Sequence, residues 1–86
     1  METWQVYIIQ SSDDSLYTGI ALDAERRLLK HNSGKGAKRT RRGRPWHLVH
    51  LRTLASKGAA LKLEYAIKQL GRPAKLKLIQ TNKNVL

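Results

Sequence analysis

Glu64 is a carboxylate in an unexpected place. The acids of the sequence are Glu2, Asp13, Asp14, Asp23, Glu25 and Glu64, and the first Lys or Arg is Arg26. Residues 1–25 therefore carry net −5 and residues 26–86 net +16, with Glu64 the one acid in that basic stretch. Ala60 and Ile67 lie at i−4 and i+3 from it, so on a helix it borders an apolar stripe instead of opposing it. Such a carboxylate either pairs with a neighbouring Arg or ligates a hard cation, and taken by itself Glu64 leaves both open. Tyr7 and Tyr17 are ten residues apart, Arg27 follows ten later and His31 four after that. Tyr and His can exchange protons, and Arg can face a negatively charged group. Each also has a plain structural role: a packed tyrosine with a satisfied hydroxyl, or a solvated helix face carrying Arg27 and His31.

Other constellations are weaker. Ser33-Gly34-Lys35-Gly36 has the look of a phosphate loop, but G-x-x-x-x-G-K-[ST] between a strand and a helix is absent. His47 and His50 are three apart on an expected strand, which points them to opposite faces and argues against a shared metal.

The elements that must position these side chains follow from periodicity. Trp4 to Gln10 is rich in β-branched and aromatic residues, Ser11 to Ser15 is turn chemistry, and Leu16 to Ile20 reads as strand again. A five-residue loop over 11–15 pairs Gln10 with Leu16, Ile9 with Tyr17 and Tyr7 with Gly19, so that both tyrosines share a face. Gly19 then leaves room for the Tyr7 ring or for a ligand. Asp23 is a good N-cap for a helix over Ala24 to His31 with Leu28 and Leu29 inward and Arg27 and His31 on one side. Residues 34–45 hold Lys35, Lys38, Arg39, Arg41, Arg42 and Arg44 among three glycines without apolar periodicity, which reads as an exposed, mobile basic loop. Trp46 to Leu54 reads as a third strand. Ala60, Leu63, Ile67 and Leu70 mark a helix stopped by Gly71, and Pro73 suits a short last helix before a frayed tail from Thr81. The expected fold is α+β: a small antiparallel three-stranded sheet flanked by helices, in the order β-β-α-β-α-α.

With 86 residues the chain makes one domain, 1–86, with a core at the small end of what folds without staples. The absence of cysteine removes disulfides, thiolate zinc sites and thiol nucleophiles, and fits a reducing compartment. No apolar run approaches the roughly 18 residues of a membrane span, and the N-terminus lacks signal-peptide features, so a cytoplasmic location is expected. A net charge of +11 points to a polyanionic partner, and the basic loop to contact with phosphate backbones.

Taken together, the ten-ten-four spacing and the following helical Glu64 resemble the GIY-YIG nuclease superfamily. Val6-Tyr7 stands where the first motif ends, and Tyr17-Thr18-Gly19 stands for YIG. Leu16-Tyr17-Thr18-Gly19, Glu25-Arg26-Arg27-Leu28 and His31-Asn32-Ser33-Gly34-Lys35-Gly36-Ala37-Lys38 look closest to the short stand-alone bacterial branch. The resemblance implies hydrolysis of a phosphodiester by an activated water with one divalent cation, usually Mg²⁺. By similarity Glu64 holds the metal, Arg27 stabilises the phosphate charge, and Tyr7 and Tyr17 position or deprotonate the nucleophile. His31 occupies a position where the family carries Tyr or His. A lone carboxylate suits Mg²⁺, which keeps several waters and takes substrate oxygens, so the metal is expected to bind together with nucleic acid.

Gln5 and Thr18 depart from the motifs. Leu76 stands where some relatives carry an Asn, and Ile20 stands where several active relatives place a Lys that could acidify a tyrosine. A phenol of pKa about 10 is a poor base at neutral pH, whereas an imidazole near 6.5 is a good one, which favours His31 as proton acceptor. The expected activity is a metal-dependent, structure-selective or weakly specific endonuclease acting on DNA ahead of RNA, with no membrane partner. A separate protein partner would then supply the targeting that larger relatives build into the same chain. The alternatives are a binding module derived from a nuclease fold that grips DNA or RNA without cutting, and a ribosome- or partner-associated basic protein whose charge serves RNA docking.

Overall fold

A computed structural model describes residues 2–85. Strands β1 (Trp4–Ser11) and β2 (Leu16–Ala21) form the expected hairpin, pairing Tyr7 with Gly19, Ile9 with Tyr17 and Gln10 with Leu16. The turn is held by its own polar groups. Ser11 and Asp13 are hydrogen-bonded through their side chains, the Ser15 N–H donates to both, and Asp14 takes the left-handed conformation with φ 68°. These serine donors hold the Asp13 carboxyl down at about 2. Strand β3 (Trp46–Leu54) pairs antiparallel with the other edge of β1, giving the sheet order β2-β1-β3.

A bulge interrupts that second ladder. Ile8 faces His50 and Ile9 faces Leu48, leaving Val49 as the extra residue of β3. One added residue shifts the side-chain parity, so His47, opposite Gln10, and His50, opposite Ile8, lie on the same face of the sheet. The expectation that they point apart is thereby corrected. They still form no metal centre, since His47 is exposed and His50 buried, and no cluster of three ligating side chains exists among the described residues.

Helices cover both faces. Val6 and Ile8 of β1 pack with Ala60 and Ile67 of α2 (Lys57–Lys68) and Ile79 of α3 (Arg72–Val85), while Tyr7 and Ile9 pack on the other face with Ala24 of α1 (Ala24–Asn32) and with Trp46. The order β-β-α-β-α-α and the α+β class are as the sequence indicates. Helix α1 begins where Asp23 accepts a hydrogen bond from the Arg26 N–H, and the Gln5 side-chain carbonyl takes the Ala24 N–H at 2.7 Å. Gln5, a departure from the family motif, therefore caps the helix that carries Arg27 and His31. No helix among the described residues is long and apolar enough to cross a membrane.

Several finer expectations are corrected. Leu29 points outward at 72% exposure, because the inner stripe of α1 is Ala24, Leu28 and His31 at i, i+4 and i+7. Leu70 lies beyond the end of α2 and is exposed, and α3 continues to Val85 where fraying from Thr81 was expected. Leu86 lies outside the described residues.

The largest addition concerns residues 34–45, whose basic side chains are exposed as expected but whose backbone is anchored to the fold by hydrogen bonds. Lys38–Arg41 forms a 3₁₀ turn whose Thr40 is fully buried, and the Trp46 indole N–H donates to the carbonyls of Thr40 (2.9 Å) and Arg42 (3.2 Å). The Asn32 side chain clamps the far end, donating to the Trp46 carbonyl at 3.0 Å and accepting its N–H at 2.6 Å. Spacing of apolar residues does not reveal this because the anchors are hydrogen bonds to backbone.

Candidate active site

Tyr7 is only 1% exposed, and its hydroxyl lies over Gly19 of the neighbouring strand, where a Cβ would come within 2.6 Å of the phenol oxygen. Any other residue at position 19 would displace the ring. Tyr17 sits beside it on the same face, partly exposed, with ring centroids 6.4 Å apart. The His31 ring completes the cluster, 5.9 Å from Tyr7 and 5.3 Å from Tyr17.

His31 is fully buried and both its nitrogens are engaged. Nδ1 lies 2.6 Å from the Thr40 hydroxyl and Nε2 lies 2.9 Å from the Tyr7 hydroxyl. Thr40 donates its one proton to the Ala37 carbonyl at 2.8 Å, so it must accept from Nδ1. The neutral ring consequently carries its proton on Nδ1 and presents the Nε2 lone pair to the Tyr7 O–H. The result is a directed chain from Tyr7 through His31 and Thr40 to a backbone carbonyl. Gly36 makes room for it, since a Cβ there would fall on the His31 ring.

The titration behaviour of the pair follows from its surroundings. Burial, then the neighbouring Tyr17, pushes the Tyr7 phenol up to about 12 against the pull of Arg27, which hydrogen-bonds to the phenol and places positive charge beside it. Glu64 adds a smaller upward push. Arg27 and Glu64 thus both act on the same phenol although they come from helices on opposite faces of the sheet. Burial, then the charge of Arg27, holds His31 below its ordinary value, so it is neutral at pH 7.

Tyr7, Tyr17 and His31 are therefore in contact, with Arg27 at the Tyr7 phenol, while Glu64 acts on that phenol through its charge and keeps Lys68 as its contact. His31 does not stand on a solvated face, and its accepting nitrogen, Nε2, faces the Tyr7 hydroxyl. With no Lys at position 20 and burial raising it, the Tyr7 phenol does not ionise at neutral pH, and what the sequence did not show is its hydrogen bond to His31. The sequence reading also missed Thr40, Gly36 and Asn32. The only signal was their presence in the stretch that follows His31, where Thr40 reads as a spacer between arginines.

Glu64 is partly buried and forms an ion pair with Lys68 at 3.3 Å, the i+4 partner on α2. As a lone carboxylate it fits a hard, water-rich cation such as Mg²⁺, with Lys68 as the group such an ion would displace. The six cations of the basic segment, Lys35, Lys38, Arg39, Arg41, Arg42 and Arg44, are all exposed. Arg44 is partly committed, lying against Gly34 with a 3.5 Å contact to the Asn32 carbonyl at the end of α1.

A sheet carrying two tyrosines, flanked by a helix with Arg and His and another with a single Glu, is the arrangement of a nuclease-like fold, as the family match implies. The family model for the GIY-YIG catalytic domain matches residues 3–77, and the chain belongs to the GIY-YIG family. It is 51% identical over 80 residues to a UPF0213 protein of Staphylococcus epidermidis, covering 93% of this chain and 98% of the relative. A UPF0213 protein of Staphylococcus saprophyticus is 49% identical over 79 residues, with coverage of 92% and 96%. Among solved structures, the solution NMR structure of the UPF0213 protein of Bacillus halodurans superimposes with a TM-score of 0.61 at 43% identity, over 92% of this chain and 84% of that one.

Proposed function

We propose that this protein is a divalent-metal-dependent endonuclease that hydrolyses phosphodiester bonds of DNA. The observation that carries the reading is the meeting at one phenol oxygen of an imidazole lone pair at 2.9 Å and an arginine, with the charge of Glu64 acting on the same phenol. A water attacking phosphorus must lose a proton. The Tyr7 oxygen takes it as the phenol proton passes to Nε2 of His31, so no free phenolate is required. Thr40 and Ala37 hold the ring in the accepting tautomer. Arg27 faces the charge that develops on the phosphate, and Tyr17, partly exposed, lines the approach to Tyr7. Glu64 would hold Mg²⁺, which when bound supplies positive charge to the phosphate and the departing oxygen. The exposed cations of residues 35–44 add affinity through backbone phosphates without reading bases. Action in the cytoplasm on DNA ahead of RNA, with targeting by a separate partner, belongs to the same proposal.

A second reading is favoured by the Glu64–Lys68 ion pair: if Lys68 is the permanent partner, the domain binds nucleic acid without cutting. The deciding experiment incubates the pure protein with branched, nicked, single-stranded and duplex DNA, and with matching RNA, in Mg²⁺ and in EDTA. Cleavage in Mg²⁺ alone, lost in Glu64→Gln while binding is kept or slightly tightened, supports the endonuclease. Binding without cleavage of any substrate supports the module.

A further inference from the structure

An open groove of about 540 Å³ runs along α1 from the end of β2, and Arg27 forms part of its wall. Its apolar lining comes mainly from Leu29, 72% exposed, and Leu22, 49% exposed, at the corner between β2 and α1. Neither serves the core, because Ala24, Leu28 and His31 already form the inner stripe of the helix. Arg26 and Lys30 flank Leu29 on the same helix and also line the groove. The one acid in the lining, Asp23, directs its carboxylate to the Arg26 N–H as the helix cap. The groove thus combines an aliphatic wall, a cationic rim and an end shared with the phosphate-facing arginine of the site.

That combination selects one kind of occupant. A nucleotide offers a flat apolar base face joined to anionic phosphates, but in a duplex the base faces are hidden in the stack and only phosphates and polar edges are presented. A second copy of this chain is disfavoured by the repulsion of two strongly basic faces. We propose that the groove receives the base of an unpaired nucleotide adjoining the phosphate held at Arg27, with Arg26 and Lys30 contacting the flanking phosphates. The proposal rests on the nuclease reading for its location and narrows the substrate to strands with an unstacked nucleotide beside the cut.

The test measures fluorescence anisotropy in EDTA, so that turnover plays no part. Labelled probes are a thymidine 12-mer, an abasic 12-mer with the same phosphates, and a duplex of equal length. Wild-type protein should bind the thymidine strand about tenfold more tightly than the abasic one, the order expected from covering one base face with aliphatic surface. Leu22→Ala/Leu29→Ala, confined to exposed positions, should bind both single strands alike, at the abasic affinity, with duplex binding unchanged. Equal affinity of the wild type for the thymidine and abasic strands overturns the proposal. So does an equal loss on duplex, and so does a wild-type dimer in sedimentation that the double variant dissolves, which would make the groove a protein interface. Absence of cleavage in a parallel Mg²⁺ assay strikes the nuclease reading instead and leaves the base preference to be judged on binding.

Discussion

Ile8 and Tyr7 are neighbours on the central strand, 0% and 1% exposed, and they face opposite sides of the sheet. Around Ile8 the partners are hydrocarbon: Val6, Ala60, Ile67 and Ile79. Around Tyr7 an ordered series of polar groups is buried to the same depth, with His31 and Thr40 both at 0% exposure. Burial of apolar side chains stabilises without direction, whereas buried polar groups are tolerated only when each finds a partner. The α1 face satisfies that condition through Tyr7, His31, Thr40 and Ala37, and the consequence is a fixed tautomer and a fixed direction for a proton. On the α2/α3 face, among the described residues, the condition is broken at His50, whose buried Nδ1 has no hydrogen-bond partner. One side of the sheet holds the chain together and the other holds a geometry.

Substitutions on the two faces should separate these roles. The largest effect is expected from Tyr7→Phe, which removes the proton route and should lower single-turnover cleavage by about 10²–10⁴-fold. Its stability cost, from leaving His31 Nε2 without a donor, should be about 1–3 kcal/mol by denaturant titration. Ile8→Ala should do the reverse, costing about 2–5 kcal/mol of stability while the folded fraction cuts at the wild-type rate. Equal losses of rate in the two variants would dissolve the distinction between the faces.

Arg39→Ala/Arg41→Ala/Arg42→Ala should weaken binding to all sequences alike. The salt dependence should flatten by roughly two to three units of log–log slope, near 0.9 per lost duplex phosphate contact. Because Thr40 anchors the segment from within, the triple variant should keep its melting temperature. A sequence-selective loss, or an unchanged slope, would count against phosphate contact. The smallest effect is expected on the apolar face. His50 is held below its ordinary pKa by burial, then by Arg52, so the native protein loses stability as pH falls from the unfolded value near 6.5 through the depressed folded one. His50→Leu should remove that loss and add about 1 kcal/mol even at pH 8, where histidine is neutral in both states. Calorimetry at pH 5 and pH 8 checks both, and a destabilised His50→Leu would show that the ring has an uncounted role.

The site's skeleton was legible because a hairpin converts spacing into geometry. Once the loop 11–15 fixes the register, Tyr7, Tyr17 and Gly19 can take only one arrangement, and that arrangement is observed. Arg27 and His31 were legible as one side of a helix, but not as a buried side, since His31 takes an inner position that hydropathy assigns to Leu29. The bulge at Val49 left no mark on the alternation of β3, and it reversed the expected relation of His47 and His50. The order in residues 34–45 was invisible for a related reason. It depends on Trp46, Asn32 and Thr40 meeting backbone groups across the fold, and such contacts have no period in sequence.

The central claim is that the proton leaves through Tyr7 to a neutral His31, and a single-turnover pH profile at saturating Mg²⁺ tests it most directly. With His31 held low by burial and Arg27, the ring accepts a proton at neutral pH and loses that capacity only as acid protonates it. Wild-type cleavage should therefore rise through a group titrating below 6.5 and then level, with His31→Ala and Tyr7→Phe comparably slow. A rate still climbing above pH 9, with His31→Ala nearly as fast as wild type and Tyr7→Phe inactive, would contradict the account and leave Tyr7 acting alone as phenolate.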